Sequence, residues 1–268
     1  MTKHRLIACL LWNNGVLVQS MRFTHTNAVG NAYTAVDFFN TWAVDEIVLL
    51  DVTRAPDEQD FFHAQLKELS KRCFIPLAAG GWVDTVADMR RLLQEGADKV
   101  VVNTEAFKHP SLVTDGARQF GNQCMVVSID VKKNSAGAYE VSIDRGRTPT
   151  GVHPVAHAQR MEAAGAGEIF LTSIDEDGQR SGYDCALVRQ VSDAVGIPVI
   201  ASGGVGEWQH LVDGIQNGGA DAVCAANIFH YFEQSTKQAK EFMKQSGIDV
   251  REPEFYTVAM PRKIQYRV

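Results

Sequence analysis

The sequence has few of the features that mark secreted, membrane-spanning or disulfide-stabilised proteins. It contains five cysteines in 268 residues, an odd number without a CxxC pair, which favours buried reduced thiols. No apolar run reaches the ~18 residues that a membrane helix requires. The first residues lead into a short strand-like run instead of a secretory signal. We therefore expect a soluble, cytoplasmic protein that does not interact with membranes.

Clusters of basic residues and of metal ligands are also missing. The net charge is −6 and no run of Lys or Arg stands out, so a nucleic-acid partner is not expected. His153 and His157 stand four residues apart without a third ligand, and His230 is expected to be structural. We predict neither a metal ion nor a cofactor.

What the sequence does contain is a repeated alternation of short β-rich runs and amphipathic helical patterns. Apolar runs separated by helices are typical of a parallel sheet covered by helices, and eight of them predict a (β/α)8 TIM barrel of the α/β class. The predicted strands are Leu6–Leu11, Glu46–Asp51, Phe74–Ala79, Lys99–Asn103, Met125–Asp130, Glu168–Ser173, Ile197–Ser202 and Ala222–Ala226.

An internal repeat indicates that the barrel consists of two half-barrels. Residues 45–49 resemble 167–171, and residues 75–81 resemble 197–204, both 122 positions later. The predicted barrel spans residues 1–250, with a hairpin inserted at 131–147. Residues 251–268 form a C-terminal extension whose conformation the sequence leaves open.

Glycines and small polar residues follow the predicted strands, at the end of the barrel where active sites lie. Glycine lets the backbone approach a phosphate, although the same residues also make tight turns. Two glycine pairs at equivalent positions favour a substrate with two phosphates. The candidate phosphate-binding residues are Gly80, Gly81, Asn103, Thr104, Gly203, Gly204 and Asn227.

Carboxylates also cluster at this end. Asp130 ends the fifth predicted strand after an apolar run, where a half-desolvated carboxyl suits acid–base catalysis. Its equivalent in the first half is Leu11. Asp51 and Asp177 are predicted to bind substrate or, equally, to cap loops. Thr172 and Gly178 are the other predicted substrate-binding residues.

Four predicted strands begin with a charged residue: Arg5, Glu46, Lys99 and Glu168. The four side chains either converge on the barrel axis as a ring of ion pairs or stand as independent solvated charges. The sequence alone ranks the second arrangement first.

Several motifs together resemble the cyclase subunit of imidazole glycerol phosphate synthase. The similarity covers residues 3–250, almost colinearly. The motifs are Arg5–Leu10, Leu50–Thr53, Gly96–Val100, Asn103–Thr104, Ser128–Asp130, Gly165–Ile169, Leu171–Asp175, Asp177–Gly178, Ser181–Asp184, Ile200–Gly204 and Ile228–His230.

This resemblance implies a TIM barrel that receives ammonia along its axis from a glutaminase docked on the N-terminal face. The substrate of the family carries two phosphates. The resemblance implies that the four charged residues form the ammonia gate and that Asp98 contacts the glutaminase.

The sequence departs from the family pattern where the cyclisation chemistry takes place. Leu11 replaces one of two aspartates, Gln19 a lysine, and Trp82 the third glycine of the first phosphate loop. Ala78 replaces a threonine and Asn227 a serine. The resemblance therefore favours a divergent paralogue that amidates or amidinates a nucleotide-linked sugar in surface-polysaccharide (O-antigen) biosynthesis. The alternatives are the cyclase of histidine biosynthesis and a non-catalytic activator of a glutaminase.

Overall fold

The computed structural model describes residues 3–42, 44–54, 58–230 and 235–252. Eight parallel strands lie in the order β10-β11-β12-β1-β4-β5-β6-β7, and pairing of β7 with β10 closes the barrel. The predicted (β/α)8 fold is confirmed. The barrel strands are β1 (Arg5–Asn13), β4 (Glu46–Asp51), β5 (Leu77–Gly80), β6 (Lys99–Val102), β7 (Met125–Lys133), β10 (Glu168–Ser173), β11 (Val199–Ser202) and β12 (Ala222–Ala225).

Helices cover the outside of the barrel, and their apolar faces form one core with the outward-facing strand residues. Local sequence sets several helix ends. Thr85 and Asp88 form a capping box at the start of α3, and α6 begins with Pro154 and ends at the left-handed Gly165. The helices are α1 (Ala32–Thr41), α2 (Gln59–Ser70), α3 (Val86–Gln94), α4 (Thr104–Lys108), α5 (Ser111–Phe120), α6 (Pro154–Ala164), α7 (Cys185–Ser192), α8 (Trp208–Gln216) and α9 (Ser235–Gln245).

Equivalent hydrogen bonds at the base of the barrel reflect the two-fold repeat. The Leu77 amide donates to Asp98 Oδ2 at 2.9 Å, and the Val199 amide donates to Asp221 Oδ2 at 3.0 Å. In each half, therefore, an aspartate that precedes one strand holds the start of the strand before it.

Two predicted strands begin later than expected. Strands β5 and β11 start at Leu77 and Val199, directly after Pro76 and Pro198. Proline has no N–H to give to a ladder, so it is found at the first position of a strand or outside it. Phe74, expected inside a strand, is 68% exposed.

Two hairpins extend from the barrel mouth. Strand β8 (Tyr139–Ile143) pairs antiparallel with the end of β7, and β9 (Thr148–Pro149) pairs with β8. The other hairpin, β2 (Val16–Met21) and β3 (His25–Gly30), was not predicted. Its signal is Asn14-Gly15, which carries positive φ at both residues in the turn that leads from β1 into β2.

The barrel interior holds a second, smaller apolar core. Side chains alternate along each strand, so Arg5, Ile7, Cys9 and Leu11 share the inward face of β1. This alternation lines up the charged base, an apolar middle and the mouth along one axis. The C-terminal residues 253–268 of the predicted extension lie outside the described residues.

Candidate functional site

A cavity of about 750 Å³ opens at the C-terminal ends of the barrel strands. It is called the mouth cavity below. It reaches inward to Cys9, Val101 and Phe170 of the barrel interior. Most of the predicted site residues meet on its wall. These are Asp51, Gly81, Asn103, Thr104, Asp130, Thr172, Asp177, Gly178, Gly203 and Gly204.

Asp130 lies on β7 in the wall of this cavity, with only 7% of its surface exposed. Asn103 Nδ2 donates to Asp130 Oδ2 at 2.8 Å. Burial raises the pKa of Asp130 from 3.8 to about 7; the nearby Asp177 adds to the rise, and hydrogen bonds from Asn103 and Ser128 oppose it. Near neutral pH the carboxyl is thus divided between its acid and base forms.

Asp177 and Gly178 fasten the unpredicted hairpin to the loop after β10. Asp177 Oδ2 accepts from the Phe23 amide at 3.3 Å, and a Cβ on Gly178 would meet the Ser20 carbonyl at 2.5 Å. Burial raises the pKa of Asp177, which hydrogen bonds from Ser20 and from backbone amides offset in part. Asp177 therefore caps a loop, as one of the two predictions for it stated, and it also faces the cavity.

Asp51 and Trp82 shape the wall at the ends of β4 and β5. The Thr53 amide donates to Asp51 Oδ1 at 2.8 Å, but Asp51 Oδ2 is buried without a hydrogen-bond partner among the described residues. Trp82 Nε1 is buried and unpartnered in the same way. Gly81, at φ +115°, packs so closely on Asp51 that a Cβ would lie 2.7 Å from the Asp51 Cβ.

The equivalent wall at the end of β11 is lined by backbone. Gly203 and Gly204 have φ values of +93° and +102°, and a Cβ on Gly204 would lie 1.9 Å from the Gly182 carbonyl oxygen. No other residue fits here without moving the chain, because both the conformation and the space exclude a side chain. The next residue, Val205, brings a small side chain where the β5 loop has Trp82.

Three predicted phosphate-binding residues are placed differently. Gly80 is not part of the cavity wall; it lies in β5 against β6, where a Cβ would meet the Val101 carbonyl at 2.5 Å. The Thr104 hydroxyl lies in the wall but accepts a hydrogen bond from the Asp144 amide at 3.0 Å. Asn227 begins a 3-10 helix, and its side chain lies outside the described residues.

The sequence analysis missed a group of arginines at the rim of the mouth cavity: Arg54, Arg145, Arg147 and Arg180. The Arg145 guanidinium lies 5.0 Å from the centre of the Trp82 ring and donates to the Thr53 carbonyl. Burial and the neighbouring arginines lower the pKa of Arg145. The Arg145-Gly146-Arg147 sequence in the predicted hairpin is the signal that was available.

The four charged strand starts meet at the opposite end of the barrel and are called the base ring. Arg5 Nη1 lies 2.6 Å from Glu46 Oε2, and Arg5 Nη2 lies 3.1 Å from Glu168 Oε1. Lys99 Nζ lies 2.9 Å from Glu46 Oε2 and 3.1 Å from Glu168 Oε1. Each cation thus contacts both carboxylates, so the four residues are not independent solvated charges.

The base ring is well shielded from solvent. The side chains of Arg5, Lys99 and Glu168 are 13–18% exposed, and that of Glu46 is 2% exposed. Burial acts to lower the pKa of Arg5, but Glu168 and Glu46 outweigh it and the pKa is raised. Buried apolar side chains of the barrel interior follow the ring toward the mouth cavity, and Ile7, Ala78, Val126 and Ile200 form the apolar layer next to it.

The family of the chain follows from a comparison with known protein families. The sequence model of the histidine biosynthesis protein family matches residues 5–235, which include all eight barrel strands. The chain belongs to this family. It is therefore a barrel enzyme related to those of histidine biosynthesis.

Within this family fold, the departures noted in the sequence fall at different depths. Leu11 lines the mouth cavity, and Ala78 is buried in the barrel interior. Gln19 lies on β2 and pairs with Asn27, outside the cavity wall. Of the altered residues whose side chains the structure describes, Leu11 and Trp82 line the cavity.

The described part of the chain holds neither a metal-binding cluster nor a membrane-spanning helix. Among the residues described, no three His, Cys, Asp or Glu side chains are grouped so that they could hold a metal ion. None of the helices in the described ranges is long and apolar enough to cross a membrane.

Proposed function

We propose that this chain is an ammonia-dependent enzyme that acts on a phosphorylated substrate in the mouth cavity. A glutaminase docks on the N-terminal face and supplies the ammonia. Asp130 is the acid–base group. The observation that carries this proposal is the position of Asp130. This buried carboxyl, with a pKa of about 7, lies on the inward face of the barrel. At the other end of the same axis, a closed ring of ion pairs forms the base of the barrel.

The arrangement along the axis suits a neutral nitrogen nucleophile. A closed ring with alternating charges repels no neutral molecule, while the apolar layer above it strongly disfavours ammonium and other ions. Ammonia passes only when one ring member moves aside. Arg5, Glu46, Lys99 and Glu168 therefore act as the gate.

The partner approaches the same face. Asp98 is exposed beside the base ring, and its Oδ2 already accepts from the Leu77 amide. Its second oxygen is the atom offered to the glutaminase. This carboxylate therefore has two roles, one in the fold and one in docking.

Asp130 fits the chemistry of C–N bond formation. Ammonia attacks an electrophilic carbon of the substrate, and the nitrogen must lose a proton while a leaving oxygen gains one. A carboxyl with a pKa near ambient pH serves well in both directions. Asn103, at 2.8 Å, orients the carboxyl toward the cavity.

Anion binding is expected on the β11 side and at the rim. The two left-handed glycines, Gly203 and Gly204, expose backbone that a phosphoryl group can approach, and Arg147 and Arg180 add positive charge. Gly81, Thr172 and Gly178 complete the wall around the substrate.

The favoured reaction is amidation or amidination of a nucleotide-linked sugar, as in the surface polysaccharides of bacteria. Leu11 removes the second carboxyl of the cyclase pair, and Trp82 fills the first phosphate loop with an indole. Both changes act against a bisphosphate cyclisation and leave the ammonia path intact.

The histidine-pathway cyclase is the second candidate, because the family match spans 231 residues, from 5 to 235, and Asp130 with Asn103 is present. Complementation of a histidine auxotroph that lacks the cyclase distinguishes the two. Growth without histidine would establish the second candidate and reject the first.

A direct test uses the full chain with 15N-labelled ammonium, with and without ATP to activate a carboxylate. The substrates are UDP-linked hexuronic acids and the bisphosphate substrate of the cyclase. Mass spectrometry follows incorporation of label. Asp130→Asn is expected to lower turnover by about two to four orders of magnitude. Asp115→Asn, a change at an exposed aspartate of α5, serves as the control. Equal turnover by both variants would reject Asp130 as the acid–base group.

A further inference from the structure

Two buried polar atoms in the mouth cavity lack the partners that buried polar atoms require. Asp51 Oδ2 is a hydrogen-bond acceptor and Trp82 Nε1 is a donor, and neither has a partner among the described residues. Asp51 as a whole is 6% exposed. Leaving such atoms unpaired is costly, so each calls for a partner, which is a bound water, an ion or a ligand.

The two atoms belong to one part of the wall. In the parallel register Leu50 of β4 lies beside Gly80 of β5, so Asp51 stands next to Gly81, directly before Trp82. Close packing of Gly81 on Asp51 fixes this arrangement. Asp51 and Trp82 both line the mouth cavity, so a ligand at its β5 side contacts both residues.

This pair of atoms matches a hydroxyl better than a phosphate. A hydroxyl donates its proton to one oxygen and accepts a hydrogen bond with its own oxygen, so one hydroxyl, or two adjacent ones, satisfies both atoms. A phosphate dianion has only acceptors. It would leave Asp51 Oδ2 unpaired and would place like charges side by side.

Trp82 and Arg145 make the same end of the cavity unsuitable for backbone binding of phosphate. At the β11 side the turn consists of open glycine backbone followed by the small side chain of Val205. In the corresponding turn at the β5 side, the indole of Trp82 occupies this space. The Arg145 guanidinium covers the Trp82 ring and donates to the Thr53 carbonyl, so it is held as part of the wall.

We propose that Asp51 and Trp82 form a subsite for the hydroxyl groups of a sugar ring, at the opposite side of the mouth from the phosphoryl-binding glycines. The inference rests on the proposed function, since it specifies which part of a nucleotide-linked sugar lies where. It assigns the β5 side to the sugar and the β11 side to the diphosphate.

The test measures binding to the full chain by titration calorimetry, with UDP, UDP-glucose and UDP-glucuronic acid as probes. The wild-type protein binds at least one UDP-sugar more tightly than UDP. Trp82→Phe keeps an aromatic ring and removes only the donor. We expect it to weaken UDP-sugar binding about tenfold, the size of one hydrogen bond, and to leave UDP binding unchanged. Asp51→Asn is expected to behave in the same way.

A second measurement separates a substrate contact from a structural one. Because Trp82 Nε1 is unpartnered, Trp82→Phe is expected to leave the melting temperature of the ligand-free protein unchanged or to raise it. Trp42→Phe, at the C-terminal cap of the outer helix α1 and away from the mouth cavity, is the matched control and is expected to leave all probe affinities unchanged.

Three results would overturn the subsite. They are equal affinity of the wild type for UDP and both UDP-sugars, equal weakening of UDP and UDP-sugar in Trp82→Phe, and unchanged affinities in both cavity variants. None of these measurements involves ammonia or a glutaminase. If sugar recognition depends on Asp51 and Trp82 while Asp130→Asn keeps full turnover, the subsite stands and the proposed acid–base role falls.

Discussion

Replacing Asp130 by asparagine is expected to stabilise the protein, and to do so more at alkaline than at acidic pH. Burial raises the pKa of this carboxyl from 3.8 to about 7. Between these values the unfolded chain releases the proton while the folded chain keeps it. Stability is therefore lost as the pH rises from about 4 to 7.

The size of the effect follows from the shift. About three pKa units at 1.36 kcal/mol each amount to about 4 kcal/mol above pH 7. At pH 5 only about 1.5 kcal/mol of this penalty is present, and at pH 8 about 4 kcal/mol. Asparagine does not titrate, so the stabilisation by Asp130→Asn should grow by about 2.5 kcal/mol between these pH values.

Urea unfolding of the wild type and of Asp130→Asn at both pH values measures the difference, with free energies extrapolated linearly to water. Asp115→Asn controls for the loss of one negative charge at an exposed site. A stabilisation of the same size at pH 5 and pH 8 would refute the reasoning, because a constant difference is not a titration.

Three further changes test other parts of the molecule. Lys99→Met removes one cation of the base ring and should lower the free energy of unfolding by about 3–5 kcal/mol. The control Lys71→Met, at an exposed lysine, should lower it by at most about 1 kcal/mol. Equal losses of the two variants in urea titrations would contradict a shielded ring. Gly204→Ala has no space for its Cβ and should lower the melting temperature more than Gly137→Ala, where the space is open. Circular dichroism on heating compares the two variants. The reverse order would be incompatible with the close approach of Gly204 to the Gly182 carbonyl. Burial lowers the pKa of His157 from 6.5 to about 4, so this residue should destabilise the fold as the pH falls through this range. His157→Leu should remove that part of the acid sensitivity, as measured by urea titrations at pH 4 and pH 7. An unchanged loss of stability between these pH values would contradict the lowered pKa.

The barrel could be predicted because its determinants are local. Apolar runs and helical patterns repeat along the chain, and strand ends follow from single residues such as Pro76 and Pro198. The sequence also placed Asp130 at the mouth, since the polar residues toward the carboxyl ends of the barrel strands line the mouth in this fold. The first hairpin was missed although Asn14-Gly15 marks its entry turn.

Other parts of the site depend on contacts that no local pattern contains. Arg145 reaches Trp82 and the Thr53 carbonyl only because the hairpin after β7 folds over the mouth. The sequence placed Arg5 and Lys99 at strand starts, but whether they share two carboxylates depends on the stagger of strands that are distant in the chain. Gly80 was predicted to bind phosphate together with Gly81, and only the register shows that Gly80 packs against β6 instead.

The two halves of the barrel share a fold but differ at several of the candidate functional residues. Glu46 and Glu168 occupy equivalent positions, but the cations between them, Arg5 and Lys99, have no charged equivalent in the second half. By strand register their counterparts are Cys124 and Ala222. At the mouth, Trp82 after Gly80-Gly81 corresponds to Val205 after Gly203-Gly204. A symmetric barrel would hold two equivalent end groups, whereas a substrate with different ends needs walls of different chemistry. On the proposed function, the loss of symmetry at residue 82 separates the site of the sugar from that of the diphosphate.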